Sequence, residues 1–201
     1  MDTGAGWTPC IVTVLDLIGT RKQTAGGTGS RLMLRMHRSA AELIRNGMPL
    51  HKQGYIWNDS VLLLSEKAST IKERLDVLFE LQAFKLDLEA ECGTGLYAIS
   101  VKGKTFPPVE LPPPEQAENA ERAIILKTSS WAMANCFAIE QALGRHRADW
   151  YLDSRLTRGL RLPELFKSES VALLPDNEAR DIHMYKGRLF APDESKPAGR
   201  A

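Results

Sequence analysis

Asp16 and Asp59 are the residues from which chemistry is most readily built. Asp16 closes a β-branched run, Cys10 to Asp16 (CIVTVLD), and Asp59 lies in the turn-like WNDS, Trp57 to Ser60. Two carboxylates arriving from different elements suit hard, oxygen-seeking cations such as Mg²⁺ or Mn²⁺. Taken singly each has a plainer reading, Asp16 as a turn cap and Asp59 as an ordinary turn residue. Beside Asp16, Leu17-Ile18-Gly19-Thr20 offers successive backbone N–H groups to a phosphate, and Gly19 permits its close approach. The stretch Thr24 to Ser30 (TAGGTGS) lacks the GxxxxGK[ST] spacing of a phosphate-binding loop and reads as a flexible connection. His37, His51, His146 and His183 show no ligand spacing and read as surface or structural residues.

The elements that must position the aspartates follow from hydrophobic periodicity. Cys10 to Asp16 is a buried strand ending at the turn around Gly19. Ser30 caps a helix with Leu32, Met36, Ala40, Leu43 and Ile44 on one stripe, stopped by Asn46-Gly47 and Pro49. Tyr55-Ile56-Trp57 and Val61 to Leu64 form a hairpin around Asn58-Asp59-Ser60. Thr70 and Glu73 make a capping box for a helix running to about Glu91, with Ile71, Leu75, Leu78 and Phe79 as its inner face and Gly93 and Gly95 at its end. Tyr97 to Val101 and Ala123 to Leu126 read as strands, separated by a proline-rich loop from Thr105 to Arg122. A helix from Ser129 or Ser130 to Leu143, stopped by Gly144, precedes a strand at Asp149 to Leu152. The predicted class is therefore α+β, with a ferredoxin-like, palm-type βαββαβ core and extra C-terminal helix and strand elements. In that topology the end of the first strand and the hairpin tip share one sheet edge, so Asp16 meets Asp59.

Composition bounds the remaining possibilities. With 201 residues and 43% hydrophobic content the chain can bury a real core, expected as one domain over residues 1–190 with a disordered tail over 191–201. Lys and Arg number 26 against 25 Asp and Glu, which excludes a polybasic nucleic-acid clamp and names no partner. No apolar run approaches the roughly 20 residues of a membrane span, and no secretory signal is visible. Cys10, Cys92 and Cys136 are odd in number and lack CxxC spacing, which favours a reducing cytoplasm over disulfides or structural zinc.

Over roughly residues 10 to 153 the chain resembles class III nucleotide cyclases, and more closely the bacterial pyrimidine cyclases of the Pycsar anti-phage system. The resemblance lies in VLDLIG (Val14 to Gly19), YIWNDSVLLLS (Tyr55 to Ser65) and SSWAMANCFAIEQA (Ser129 to Ala142), whose motif ends with Glu140. A Gly-Pro-Ala opening of that last helix and an Arg-Gly before the preceding strand, frequent in the branch, are absent. The resemblance implies that Asp16 and Asp59, with the backbone carbonyl of Leu17, hold two Mg²⁺ or Mn²⁺ ions. One ion would assist loss of the ribose 3′-hydroxyl proton while the other holds the triphosphate, so that the 3′-oxygen attacks the α-phosphorus and pyrophosphate leaves. Ile18, Gly19 and Thr20 would bind substrate phosphate.

Purine-specific relatives place a base-reading lysine where this chain has Tyr55. A phenol carries one hydrogen-bonding group and more bulk, which favours a pyrimidine; the alternative for Tyr55, as for Trp57, is an aromatic that simply packs. UTP is favoured over CTP because uridylate producers are the commoner members of the branch. The resemblance further implies a head-to-tail homodimer with composite active sites and a separate effector that senses the cyclic nucleotide. Asn135 lies near the place of a purine-cyclase asparagine and Lys127 precedes the helix, whereas Arg145 and Arg147 read better as a charged surface patch. The alternatives are an adenylate cyclase and a non-catalytic nucleotide-binding module of the same fold. Diguanylate synthesis is disfavoured by WNDS where GGDEF would stand, and nucleic-acid binding by the missing aromatic pattern and basic excess.

Overall fold

The structure, a computed structural model, describes residues 8–20, 26–27, 29–51, 53–105, 130–144 and 147–191. Its elements run β1 (Thr8–Leu17), α1 (Gly29–Gly47), β2 (Gln53–Trp57), β3 (Ser60–Ser65), α2 (Ile71–Cys92) and β4 (Leu96–Thr105). Then follow α3 (Trp131–Leu143), β5 (Trp150–Asp153), a single turn α4 (Ser154–Thr157), β6 (Lys167–Leu173) and β7 (Glu178–Tyr185). The strand expected at Ala123 to Leu126, nearly all of the proline-rich segment, Lys127, Arg145, His146 and the tail from Pro192 lie outside the described residues.

All seven strands form one sheet in the order β2-β3-β1-β4-β5-β7-β6. Its first four strands reproduce the expected βαββαβ core, with β1 antiparallel to both β3 and β4. The parallel step from β4 to β5 passes through α3, and the added C-terminal hairpin β6–β7 pairs with β5.

Alternation along β1 divides the core. Ile11, Leu15 and Leu17 face α1 and α2, where they pack on Met36, Ala40, Leu78, Leu81 and Leu88. Val12 and Val14 face α3, with Tyr97, Ile99, Ala132, Cys136 and Ile139.

Two local readings are met and one is corrected. The Thr70 hydroxyl accepts the Glu73 amide at 3.1 Å while the Glu73 carboxylate takes the Thr70 amide at 3.0 Å, and α2 ends at Gly93 in the left-handed conformation (φ 66°). The inner face of α2 is not Ile71, Leu75, Leu78 and Phe79. Of these only Leu78 is buried, in a stripe with Val77, Leu81, Phe84 and Leu88, whereas Ile71 and Phe79 are about half exposed. Phe79 instead stacks on Phe190 of the C-terminal segment, ring centroids 3.8 Å apart. Periodicity located a helix but left its rotation to packing.

Candidate active site

Asp16 lies near the end of the central strand β1, opposite Ser60 of β3 and Tyr97 of β4. Both neighbours use a hydroxyl to hold it. Ser60 Oγ donates to Asp16 Oδ1 at 2.7 Å, and Tyr97 Oη to Oδ2 at 2.8 Å. The carboxylate is 4% exposed, at the sheet end rather than deep in the core. Tyr97 Oη also lies 2.8 Å from Glu140 Oε1, which ties α3 to the same cluster. Burial, then the charge of Asp16 and the contact with Glu140, raise the Tyr97 pKa far above the usual phenol value, so Tyr97 stays a proton donor.

Asp59 sits at the tip of the two-residue β2–β3 turn, one position from Ser60, the register partner of Asp16. Asn58 takes the positive φ of 48° that such a turn requires, and its carbonyl meets His37 Nε2 of α1 at 2.6 Å. The backbone draws the two aspartate loops together: the Leu17 amide donates to the Asp59 carbonyl at 3.1 Å, and Thr20 Oγ1 donates to Asp59 Oδ2 at 2.5 Å. Asp16 and Asp59 therefore converge at one sheet edge, with Leu17 between them.

The expected phosphate donors are not equivalent. The Leu17 amide is taken by Asp59, and the Ile18 amide by the Gly95 carbonyl at 2.9 Å. Gly19, at φ 86° with open space where a Cβ would stand, leaves room for a phosphate to approach, and Thr20 beside it is half-buried. Thr94 Oγ1 braces this turn by donating to the Ile18 carbonyl at 3.1 Å. Tyr55 of β2 packs half-buried on the same sheet face as Asp16.

The donor set suits a small hard cation. Among the described residues no group of three or more His, Cys, Asp or Glu side chains is placed to hold a metal. A cation here would draw on Asp16, Asp59, the Leu17 carbonyl and the oxygens of a phosphorylated ligand, a set that fits Mg²⁺ or Mn²⁺ and not zinc.

Three residues complete the site's surroundings, and Arg147 keeps the surface role expected of it. Asn135 is 2% exposed, and its side chain accepts the Leu174 amide at 2.8 Å and donates to the Leu174 carbonyl at 3.1 Å, so it fastens α3 to the end of β6. Arg147 Nη1 donates to the Leu143 carbonyl at 3.2 Å and pairs with Glu169 at 3.4 Å, a surface role. Tyr97 is the site residue that strand patterning hides, since an aromatic in a strand ordinarily packs; only the pairing Asp16↔Tyr97 shows its hydroxyl at work.

No protein-family model matches the chain, and no curated protein matches it by sequence. Solved structures do match by shape. The guanylyl cyclase Cya2 superposes with a TM-score of 0.55 at 13% identity, covering 94% of this chain and 97% of its own. The adenylyl cyclase CyaB from P. aeruginosa gives 0.54 at 9% identity, over 90% and 96% of the two chains. A bacterial light-regulated adenylyl cyclase gives 0.53 at 8% identity, over 89% and 90%. The chain shares the α+β palm-type fold of these cyclase structures.

Proposed function

We propose that this chain is a nucleotide cyclase, one catalytic domain over residues 1–190, that converts a pyrimidine nucleoside triphosphate, UTP before CTP, to its 3′,5′-cyclic monophosphate. The observation that carries the reading is the convergence of Asp16 and Asp59 on one sheet edge, beside a glycine turn, in this architecture. Asp16, Asp59 and the Leu17 carbonyl would hold two divalent cations, which stabilise the attacking and departing oxygens of an in-line displacement. The 3′-oxygen bonds to the α-phosphorus, the bond to the β-phosphate oxygen breaks, and pyrophosphate and the hydroxyl proton are released.

The protein's own contribution is placement. Ser60 and Tyr97 fix both oxygens of Asp16, and Thr20 fixes Asp59, so neither carboxylate has to be reoriented as substrate binds. Gly19 and Thr20 present the turn to the phosphates, and Tyr55 stands on the site's face to read the base. The same reading includes a homodimer with composite sites. The cyclic product would serve as a second messenger in anti-phage defence, read by a separate effector.

Purine cyclisation is the second reading, favoured by the compared structures, which are adenylyl and guanylyl cyclases. Incubating the full chain with each of the four nucleoside triphosphates and Mn²⁺ separates them. Cyclic UMP is expected as the main product, with at least a hundredfold loss in Asp16→Ala and Asp59→Ala. Cyclic AMP or GMP in its place would move the assignment to purines, and full activity in either variant would overturn the site.

A further inference from the structure

The opposite end of the sheet carries a second concentration of charge. Pro9 pairs with Lys104 where β1 begins, seven residues from the Asp16↔Tyr97 pair, which at about 3.3 Å per strand residue is roughly 23 Å away. Lys102, paired with Ile11, lies on the α1/α2 face of the sheet, the face away from Asp16. There Arg74 from the first turn of α2, Lys102 and Lys104 from β4, Arg155 of α4 and Arg158 just after it, with Ser69, line a cavity of about 550 Å³. Among the described residues, five cations and no carboxylate line it.

The cations are poorly compensated. Arg74 is 6% exposed, and its side chain meets only neutral carbonyls, those of Leu156 at 2.6 Å, Arg155 at 3.2 Å and Thr70 at 3.3 Å. Asp153 is held by Arg180 at 2.8 Å, and Glu178 by Arg155 at 3.2 Å. Among the described residues no ion pair reaches Arg74, Lys102, Lys104 or Arg158. Burial, then the nearby Arg74 guanidinium, holds the Lys102 pKa below the ordinary ammonium range against the opposing charge of Asp153, with Arg158 adding to the lowering; burial and Arg158 lower that of Arg74. Folding has brought like charges together at a cost that a bound anion would relieve.

We propose that this cavity binds a small polyphosphate anion, free or as the phosphate chain of a nucleotide, at a site separate from the aspartate edge. Several guanidinium and ammonium groups converging in a concavity match a compact anion carrying several charges, because clefts of one sign focus the potential inside them. A nucleic-acid strand fits less well: among the described residues no aromatic side chain lines the cavity for stacking, and the chain as a whole carries only +1. Phosphate recognition here needs no divalent metal, which distinguishes it from the aspartate site.

Calorimetric titration of the full chain in EDTA and about 0.1 M salt, which screens scattered surface charge, tests the site with pyrophosphate, tripolyphosphate, UTP and ATP. One equivalent should bind. Lys102→Ala/Arg158→Ala should weaken binding at least tenfold, and so should Lys104→Glu/Arg158→Glu, whose positions are both exposed; a thermal melt run alongside checks that each variant is folded. Asp16→Asn should leave metal-free binding unchanged, so this outcome is independent of cyclase activity. Equal affinity for inorganic and nucleoside polyphosphates would identify the phosphate chain alone as the ligand; tenfold tighter nucleotides would identify a nucleotide. No saturable binding, no weakening in either double variant, or loss in Asp16→Asn would overturn the proposal.

Discussion

Asp16 is held by a hydroxyl from each neighbouring strand, and that arrangement assigns Tyr97 a role beyond filling the core. Its hydroxyl orients Asp16 and simultaneously meets Glu140, so the phenol couples the carboxylate edge to α3. Partners that orient a metal ligand commonly change metal affinity about 10–100-fold when removed. On the proposed role of Asp16 as a metal ligand, Tyr97→Phe is expected to raise the Mn²⁺ concentration for half-maximal activity by about tenfold or more, in protein that still melts cooperatively. Metal titration of the activity alongside a thermal melt checks this, and an unchanged metal requirement would reduce Tyr97 to packing.

At the scale of the element, one close approach sets where α3 lies. A Cβ added at Gly103 of β4 would stand 2.8 Å from the Ala132 Cβ and 3.4 Å from its Cα, so helix and strand touch through the missing side chain. Gly103→Ala is expected to cost about 1–3 kcal/mol by overpacking. Because α3 also carries Glu140, the proposed activity should fall with it. A denaturant melt unchanged from that of the native sequence would show that α3 shifts freely on the sheet. Thr70 and Glu73 illustrate the opposite case, an element boundary written wholly in local residues, whereas the buried stripe of α2 was set by what lies beneath it.

Across the whole molecule, the C-terminal hairpin is joined to the core sheet by a buried ion pair. Asp153 ends β5 and is fully buried, and Arg180 of β7 meets it at 2.8 Å. Burial raises the Asp153 pKa despite this partner and lowers that of Arg180, so desolvation outweighs their attraction. Leaving Asp153 alone should be costly: Arg180→Met is expected to lose about 3–5 kcal/mol at pH 7, and Arg180→Met/Asp153→Leu to recover most of it. A raised carboxyl pKa means that the penalty is absent below the unfolded value and grows as pH rises through the folded one. The single variant should therefore lose less at pH 4 than at pH 7 in urea melts, and equal losses at both would remove Asp153 as the cause.

The two aspartates, the glycine turn, the Asn58-Asp59 hairpin and the capped start of α2 were legible along the chain, because each is decided by a few neighbouring residues or by a short hydrophobic period. The βαββαβ order was legible for the same reason, and with it the expectation that Asp16 meets Asp59. What only the tertiary structure decided are relations across strands and between layers: Tyr97 beside Asp16, Asn135 on Leu174, the rotation of α2, and five cations gathered from β4, α2 and the α4 region. Strand register and helix packing join residues far apart in sequence, and side-chain type alone leaves open whether such a residue packs, pairs or binds.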